Sequence, residues 1–147
     1  SHAMEALKLV QDEIAHIKYP LYIFPEGTTT NGAYVKEFKS SLFNVAEGTD
    51  VTVQPVVTQY CFHDGTPIGE EDLAEHYAYF DNAKQTQGPK CSRERSAFGQ
   101  IFHVMVLGGF TVNVYMLPPP PLAGMDRKEM ANAMHKLISD KYTEIKG

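Results

Sequence analysis

Stretches with helical and with strand-like hydrophobic patterns alternate along this chain, and the alternation limits the folds open to it. Apolar residues three and four positions apart mark one face of a helix, whereas short apolar or alternating runs mark strands. Strands that alternate with helices favour an α/β fold in which helices flank a mainly parallel or mixed sheet. In chain order, the pattern predicts a helix at 5–18, a strand at 21–24, a partly helical stretch at 33–46, a β-rich run at 50–60, a short helix near 70–80, a helix at 96–107, a strand at 110–117 and a helix from 126 to about 145.

Several of these segments carry a more detailed expectation. The run from Leu21 to Phe24 is continuously apolar, which predicts a strand buried on both faces. Pro55 lies within a β-rich run and has no N–H to donate, so we expect a bulge or a sheet edge there. The apolar stretch from Phe98 to Phe110 is expected to pack in the core, with contact to acyl chains or a membrane as the alternative. Asp126 and Glu129 have the spacing of a capping box and predict the start of the last helix.

Length and composition place the chain among globular, single-domain proteins. It has 147 residues, of which 43% are hydrophobic and 21% charged, and a net charge of −5. This charge argues against binding nucleic acid or anionic lipid through bulk charge alone. Cys61 and Cys91 lack a zinc-site spacing, so we expect free thiols and no metal site. Residues 1–4 read as a cloning scar, which predicts that 5–147 form a single, partial domain of a longer protein.

A polar loop follows the first predicted strand. The strand-like run ends at Pro25, and a carboxylate, a glycine, three threonines and an asparagine come directly after it. In a parallel α/β sheet, ligands bind at the carboxyl ends of the strands, where the N–H groups of a following helix suit an anion such as phosphate. The residues therefore predict a polar loop for an anionic ligand, with a ligand-free turn and helix cap as an equal alternative.

This loop resembles the third motif of the glycerolipid and lysophospholipid acyltransferases. That motif typically reads Phe-Pro-Glu-Gly-Thr-Arg-Ser, and Phe24 to Thr28 match its first five positions. The continuation through Asn31 is similar to the branch that includes the lysophosphatidylcholine acyltransferases. Phe38 to Phe43 resembles the segment Phe-Lys-x-Gly-Ala-Phe, and Val53 to Val57 resembles the Val-x-Pro-Val strand of the fourth motif. Residues 110–118, with the helix that follows, resemble the end of this domain.

The resemblance implies a reaction and an acceptor site. The family transfers a fatty acyl group from acyl-CoA, a co-substrate, to a hydroxyl of a lysophospholipid or acylglycerol phosphate; no bound cofactor is implied. Its third motif helps to bind the acceptor, and the matching positions here are Glu26, Gly27, Thr28, Thr29, Thr30 and Asn31. Thr29 stands where the common motif has arginine, so any contact with a phosphate there has to come from hydroxyls, backbone N–H groups or a cation elsewhere.

The catalytic motif of the family is not found where the resemblance places it. That motif, His-x4-Asp, lies many tens of residues before the Glu-Gly-Thr block, and only twenty-five residues precede Glu26 here. Two pairs with this spacing occur after the block, His76 with Asp81 and His135 with Asp140. We expect both spacings to be coincidental, with a permuted site at His76 and Asp81 as the alternative. The chain is therefore expected to be the C-terminal part of the acyltransferase domain, without its N-terminal strands and helix, and to be inactive when isolated.

Other expectations concern partners and location. The alternative to an acceptor-binding half of an enzyme is a non-catalytic module with the same fold that binds lipid or a protein partner. The resemblance implies that the full-length protein is attached to the cytoplasmic face of a membrane through an upstream segment, whereas this chain itself is soluble. The absence of the first strands would expose apolar faces and an open sheet edge, which predicts self-association. The basic cluster Lys90, Arg93 and Arg95 is expected to be a solvated surface, with contact to a CoA phosphate or lipid headgroup as the alternative.

Overall fold

The computed structural model describes residues 20–146, so the helix predicted at 5–18 lies outside the described residues. Helices and a small sheet make up this part of the chain, in agreement with an α/β composition. The elements are a 3₁₀ helix at Ser40–Val45, strand β1 at Val56–Cys61, helix α1 at Glu70–Asp72, which continues as a π-helix at Leu73–Tyr77, a 3₁₀ turn at Asn82–Lys84, helix α2 at Ala97–Val106, strand β2 at Thr111–Met116 and helix α3 at Arg127–Lys146.

The sheet of the described part has two antiparallel strands. β1 pairs with β2 in a register that places Val56 opposite Met116 and Cys61 opposite Thr111. Parallel pairing does not occur between residues 20 and 146. The run at 21–24 pairs with neither strand, and all four of its side chains are exposed. The prediction of a doubly buried strand there was wrong, because an apolar run becomes buried only where neighbouring strands and helices cover it.

Helix α3 covers one face of the sheet. The side chain of Gln59 on β1 donates a hydrogen bond of 2.6 Å to the carbonyl oxygen of Ile145, and Lys141 lies 5.3 Å from the ring centre of Tyr115 on β2. Side chains alternate between the two faces of a strand, so the residues next to Gln59 and Tyr115 along each strand point away from α3. That second face carries exposed apolar side chains, at Val56, Tyr60, Val112, Val114 and Met116.

The largest buried cluster lies between α3 and the 3₁₀ helix. Phe43 and Ala46 pack against three buried residues of α3, Met130, Ala131 and Met134. The predicted start of α3 is confirmed: the Asp126 carboxylate accepts the N–H of Glu129 at 2.9 Å, and the Glu129 carboxylate accepts the N–H of Asp126, also at 2.9 Å. This reciprocal cap fixes the direction in which α3 enters the fold.

Pro55 agrees with the sheet-edge alternative. It directly precedes β1, which is an edge strand of the two-stranded sheet in the described residues; the proline is buried, and its carbonyl oxygen accepts the N–H of Leu117 at 3.0 Å. The prediction for another apolar segment needs correction. The stretch from Phe98 to Phe110 forms α2 and the turn before β2, but most of the apolar side chains of α2 are exposed instead of packed in the core. Cys61 and Cys91 are free thiols, as expected.

Candidate acceptor site

A tight turn opens the polar loop. The N–H of Gly27 donates a hydrogen bond of 3.1 Å to the carbonyl oxygen of Phe24, and the N–H of Lys39 donates one of 2.8 Å to that of Pro25. Gly27 has a φ of +64°, a conformation that side chains with a Cβ disfavour. A Cβ added at Gly27 would lie 2.5 Å from Nζ of Lys39. The glycine therefore permits both the turn and the close approach of a cationic side chain.

The carboxylate of Glu26 points back into the protein. Its Oε2 accepts the backbone N–H of Lys36 at 3.0 Å, which ties the turn to the segment ten residues later. Burial raises the pKa of the Glu26 carboxyl above its usual value, and the Lys36 hydrogen bond and the positive charges of His135 and Lys36 act in the opposite direction. Glu26 thus stabilises the conformation of the loop through a backbone contact.

Asn31 anchors the loop to a distant segment. Its side chain is fully buried, and its Nδ2 donates hydrogen bonds of 2.8 Å to Gln87 and 2.9 Å to Pro89, both to carbonyl oxygens. Its Oδ1 accepts the N–H of Ala33 at 3.1 Å. Because these contacts use both amide hydrogens and the oxygen, Asn31 joins the loop to the segment around Gly88.

The end of the loop is attached to α1 and α3. The N–H of Gly32 donates to the Thr30 hydroxyl at 3.3 Å, and the hydroxyl of Tyr142 on α3 donates to the carbonyl oxygen of Gly32. A Cβ at Gly32 would lie 2.3 Å from Cδ2 of Leu73, so only glycine fits. Burial, followed by the negative charges of Glu70 and Glu26, raises the pKa of Tyr142 to about 12. The phenol therefore stays protonated and able to donate at any physiological pH.

The exposed threonines line a cavity. Thr28 and Thr29 form one wall of a cavity of about 380 Å³, and the opposite wall comes from residues fifty and more positions later in the chain. Two cations, Arg95 and Lys84, face the same space as the threonine pair. The other lining residues are Tyr79, Phe80, Asp81, Gln85 and Glu94. Hydroxyls, cations and two aromatic rings in one cavity can bind a molecule with a charged headgroup and a less polar part.

The charged side chains of the cavity are held by neighbouring groups. Nη1 of Arg95 donates a hydrogen bond of 2.9 Å to the carbonyl oxygen of Glu75 and lies 4.0 Å from Sγ of Cys91, which leaves three of the five N–H donors, those on Nε and Nη2, for other partners. Nζ of Lys84 lies 3.0 Å from the carboxylate of Asp81, and the Glu94 carboxylate accepts the N–H of Asn82 at 3.3 Å. The carboxylates are thus paired within the protein, while most of the guanidinium of Arg95 remains available.

Comparisons with known proteins agree with the resemblance seen in the loop. The family model described as Acyltransferase matches residues 1–59, and a lyso-ornithine lipid O-acyltransferase of Pseudomonas aeruginosa is 32% identical over 124 residues. The chain belongs to the glycerolipid and lysophospholipid acyltransferase family. The aligned part makes up 80% of this chain and 38% of the relative, so the chain spans less than half of that protein's length. No solved structure matches the chain significantly.

In this acyltransferase-family chain, neither His-x4-Asp pair forms a hydrogen bond between its own members. Nδ1 of His76 lies 3.3 Å from Nε2 of His103, whereas Asp81 accepts the N–H of Ala83 and pairs with Lys84. Burial, followed by the charges of Arg95 and His76, lowers the pKa of His103. On α3, His135 lies 3.2 Å from the carbonyl oxygen of Val35, and Asp140 pairs with Lys136 at 2.5 Å. Between residues 20 and 146, no three His, Cys, Asp or Glu side chains form a group that could hold a metal ion.

The sequence identified one wall of the cavity and missed most of the other. Arg95 stood out only as a member of a basic cluster, and Lys84, Tyr79 and Phe80 gave no local signal. Their role depends on the distance across the fold between positions 28 and 95, and hydrophobic periodicity carries no information on such a distance. The one usable signal was indirect: with no arginine at position 29, a cation elsewhere was one of three possible sources of a phosphate contact, beside hydroxyls and backbone N–H groups.

Proposed function

We propose that this chain binds the acceptor in acyl transfer from acyl-CoA to the hydroxyl of a lysophospholipid or acylglycerol phosphate. The observation that carries the proposal is the cavity in which Thr28 and Thr29 of the family motif face Arg95 and Lys84. In this proposal the hydroxyls and cations hold the acceptor's phosphate, and Tyr79 and Phe80 contact its glycerol backbone. Glu26 and Asn31 act indirectly, since their hydrogen bonds hold the loop in shape.

Arg95 takes the role of the arginine that the common motif has at the position of Thr29. A guanidinium can form two parallel hydrogen bonds with a phosphate, which a threonine cannot do. The free donors of Arg95 and its anchoring to Glu75 support this role, because a cation that is already positioned loses less side-chain entropy on binding. Lys39, which approaches Gly27, supplies a further cation beside the same loop.

The base for the reaction comes from outside this chain in our proposal. The acceptor hydroxyl must lose its proton as its oxygen attacks the thioester carbonyl and the CoA thiolate leaves, and a His-Asp pair performs this step in the family. His76 and His135 are engaged with partners other than Asp81 and Asp140, which supports assigning the base to an upstream part of the full-length protein. The same upstream part would extend the sheet into the mainly parallel or mixed form and provide the attachment to the cytoplasmic face of the membrane.

The name of the relative supports a lysolipid acceptor. Its name specifies O-acylation of a lyso-ornithine lipid, which supports a lysolipid as the acceptor of this chain as well. The cavity includes both cations and carboxylates, so it suits a headgroup that carries an anionic group and, in addition, an ammonium group. Lysophospholipids and amino-acid lysolipids are therefore both included in the tests below.

Binding of a short-chain lysophospholipid, below its critical micelle concentration, tests the acceptor site. We expect Arg95→Gln to weaken binding by roughly tenfold, the loss of about one charge-assisted contact, while Arg95→Lys retains part of it. Arg127→Gln, which removes the same charge at the start of α3, is the matched control and should bind like the wild type. Isothermal titration calorimetry with a phosphate-bearing and an ornithine-bearing lysolipid gives both affinities. Equal affinity of Arg95→Gln and wild type would contradict the proposal.

Turnover measurements test whether this chain binds the acceptor while an upstream part of the protein supplies the base. With acyl-CoA and lysolipid, we expect the isolated chain to show no acyl transfer, and a full-length protein with its upstream segment to show it. Activity of the isolated chain that is lost in His76→Ala would overturn our assignment in favour of a site at His76 and Asp81. Lysolipid binding without turnover even in the full-length protein would favour the alternative, a non-catalytic binding module; the cavity that residues between 28 and 95 line is compatible with it.

A further inference from the structure

Helix α2 exposes its apolar side and turns polar residues inward. Phe98, Ile101, Phe102, Met105 and Val106 follow one another at spacings of three and one, so they lie on one face of the helix. Phe98 is 86% exposed, and the other four are between 59% and 71% exposed. We refer to these five residues as the α2 stripe. An ordinary surface helix has the opposite orientation, with its apolar stripe towards the core.

Polar contacts on the other side fix this orientation. Gln100 is buried, and its Nε2 donates a hydrogen bond of 2.8 Å to the carbonyl oxygen of His76. His103, one turn later, lies 3.3 Å from the ring of His76. The hydroxyl of Ser96 accepts the N–H of Gly99 at 3.2 Å and caps the first turn. The α2 stripe therefore points outward because the inward face is specifically bound, and a rotation of α2 would break these contacts.

Charge next to the α2 stripe indicates the chemistry of its partner. The helix Ala97–Val106 contains no Lys, Arg, Asp or Glu, whereas the segment 90–96 before it has three cations, Lys90, Arg93 and Arg95, and one carboxylate, Glu94. Lys90 and Arg93 are exposed. A local excess of positive charge therefore lies beside an aromatic-rich apolar surface in a chain whose net charge is −5. An apolar helix face with basic residues at its border is the pattern of a helix that lies in a membrane interface.

We propose that α2 docks on an anionic lipid surface, with the α2 stripe inserted among the acyl chains and Lys90 and Arg93 among the headgroups. The bulk charge of the protein would not bring it to such a surface, so apolar insertion supplies the affinity and the local cations add to it. This contact is separate from any upstream membrane segment. Because Arg95 lines the acceptor cavity and directly precedes the cap Ser96, docking places that cavity beside the headgroup layer.

Co-sedimentation with vesicles tests the surface. The full chain should bind vesicles of phosphatidylcholine with phosphatidylglycerol more strongly than vesicles of phosphatidylcholine alone, and salt should reduce the difference. We expect Phe98→Ser with Met105→Ser to weaken binding by roughly tenfold or more, since two exposed apolar side chains no longer enter the lipid. Val114→Ser with Met116→Ser, which changes two exposed residues of the sheet, is the matched control and should bind normally. Lys90→Gln with Arg93→Gln should abolish the preference for anionic vesicles, whereas Lys128→Gln with Lys136→Gln should keep it.

A second measurement keeps the test independent of variants that fold poorly. The chain has no tryptophan, so Phe102→Trp introduces a single reporter into the α2 stripe. Its emission should shift to the blue on anionic vesicles and be quenched by brominated acyl chains, while Val114→Trp should show neither effect. Absence of both effects in Phe102→Trp would overturn the proposal. A second outcome would also overturn it: the wild type does not bind vesicles and forms a dimer, and the Phe98→Ser with Met105→Ser variant is a monomer. A second copy of the chain would then cover the α2 stripe. Neither result depends on lysolipid binding, which distinguishes this failure from failure of the acceptor site.

Discussion

The side-chain amide of Asn31 donates a hydrogen bond of 2.9 Å to the carbonyl oxygen of Pro89, across 58 positions of the chain. This contact, with its neighbour to Gln87, connects the family motif to the segment that leads into the second wall of the cavity. The backbone fits closely there: a Cβ at Gly88 would lie 2.9 Å from Nδ2 of Asn31. The shape of the candidate acceptor site therefore depends on a buried amide that is not among the residues lining the cavity.

Replacing this amide should destabilise the protein. Asn31→Ala removes a fully buried amide and leaves two carbonyl oxygens and one N–H without their partner, so we expect a loss of about 2–4 kcal/mol in the free energy of unfolding. Asn132→Ala, at an exposed position of α3, is the control and should change stability by less than about 0.5 kcal/mol. Urea denaturation followed by circular dichroism measures both. An equal effect of the two substitutions would show that the Asn31 contacts do not hold the loop.

The hydrogen bond from Tyr142 to Gly32 predicts that the stability of the folded protein decreases at alkaline pH. The pKa of Tyr142 is raised to about 12 in the folded protein, from a usual value near 10, so the folded state loses stability as pH rises from about 10 to about 12. Tyr142→Phe should cost about 1 kcal/mol at pH 7, the value of a typical hydrogen bond, and should reduce the alkaline loss.

Thermal unfolding of wild type and Tyr142→Phe between pH 7 and 11 provides the measurement. Tyr79→Phe, an exposed phenol in the cavity wall, controls for the general titration of tyrosines. If the stability of Tyr142→Phe falls as steeply as that of the wild type above pH 10, the raised pKa is not the cause.

The raised pKa of Glu26 predicts an effect of the same sign as that of Tyr142, but at acidic pH. Because its pKa is raised in the folded state, stability is highest while the carboxyl is protonated, and it decreases as pH rises from the usual glutamate value of about 4.3 through the folded pKa. Glu26→Gln keeps an oxygen for the Lys36 N–H and removes the buried charge. We therefore expect the variant to be more stable than wild type at pH 7 and equal to it near pH 3.5.

Melting temperatures of wild type and Glu26→Gln between pH 3.5 and pH 7 test this prediction. Glu37→Gln, which removes one negative charge from an exposed position of the same segment, is the control for net charge. A Glu26→Gln variant that is less stable than wild type at pH 7 would mean that the charged carboxylate stabilises the loop.

Gly27 and Gly48 form a matched pair that separates backbone strain from ligand binding. Both have positive φ, +64° and +72°, but a Cβ at Gly27 would displace Lys39, whereas a Cβ at Gly48 would meet no atom within 4 Å. Each substitution by Ala should therefore destabilise the fold by about 1–2 kcal/mol. Only Gly27→Ala should also weaken lysolipid binding, by moving the Lys39 ammonium. Equal lysolipid affinities of the two variants would remove Lys39 from the site.

Elements with strong local signals were predictable. The capping box of α3, the helical pattern of α2 and the strand pattern of β2 each depend on residues within a few positions of one another. The exposure of 21–24 and of α2 was not predictable, because an apolar pattern reports which face could be buried and contains no information on what covers it. The cavity was half predictable: the family motif marked Thr28 and Thr29, but nothing near Arg95 in the sequence indicated its distance from them.

The sequence by itself determined helices α2 and α3, the strand β2 and the Glu-Gly-Thr loop, since local sterics, caps and motif chemistry act over short stretches of chain. Only the tertiary structure decided that Asn31 and Glu26 hold the loop while Thr28 and Thr29 line a cavity with Arg95 and Lys84, and that α2 presents its apolar side outward. The physical reason is that hydrogen bonds and burial between positions tens of residues apart depend on how the elements pack, and packing is settled by the whole chain together.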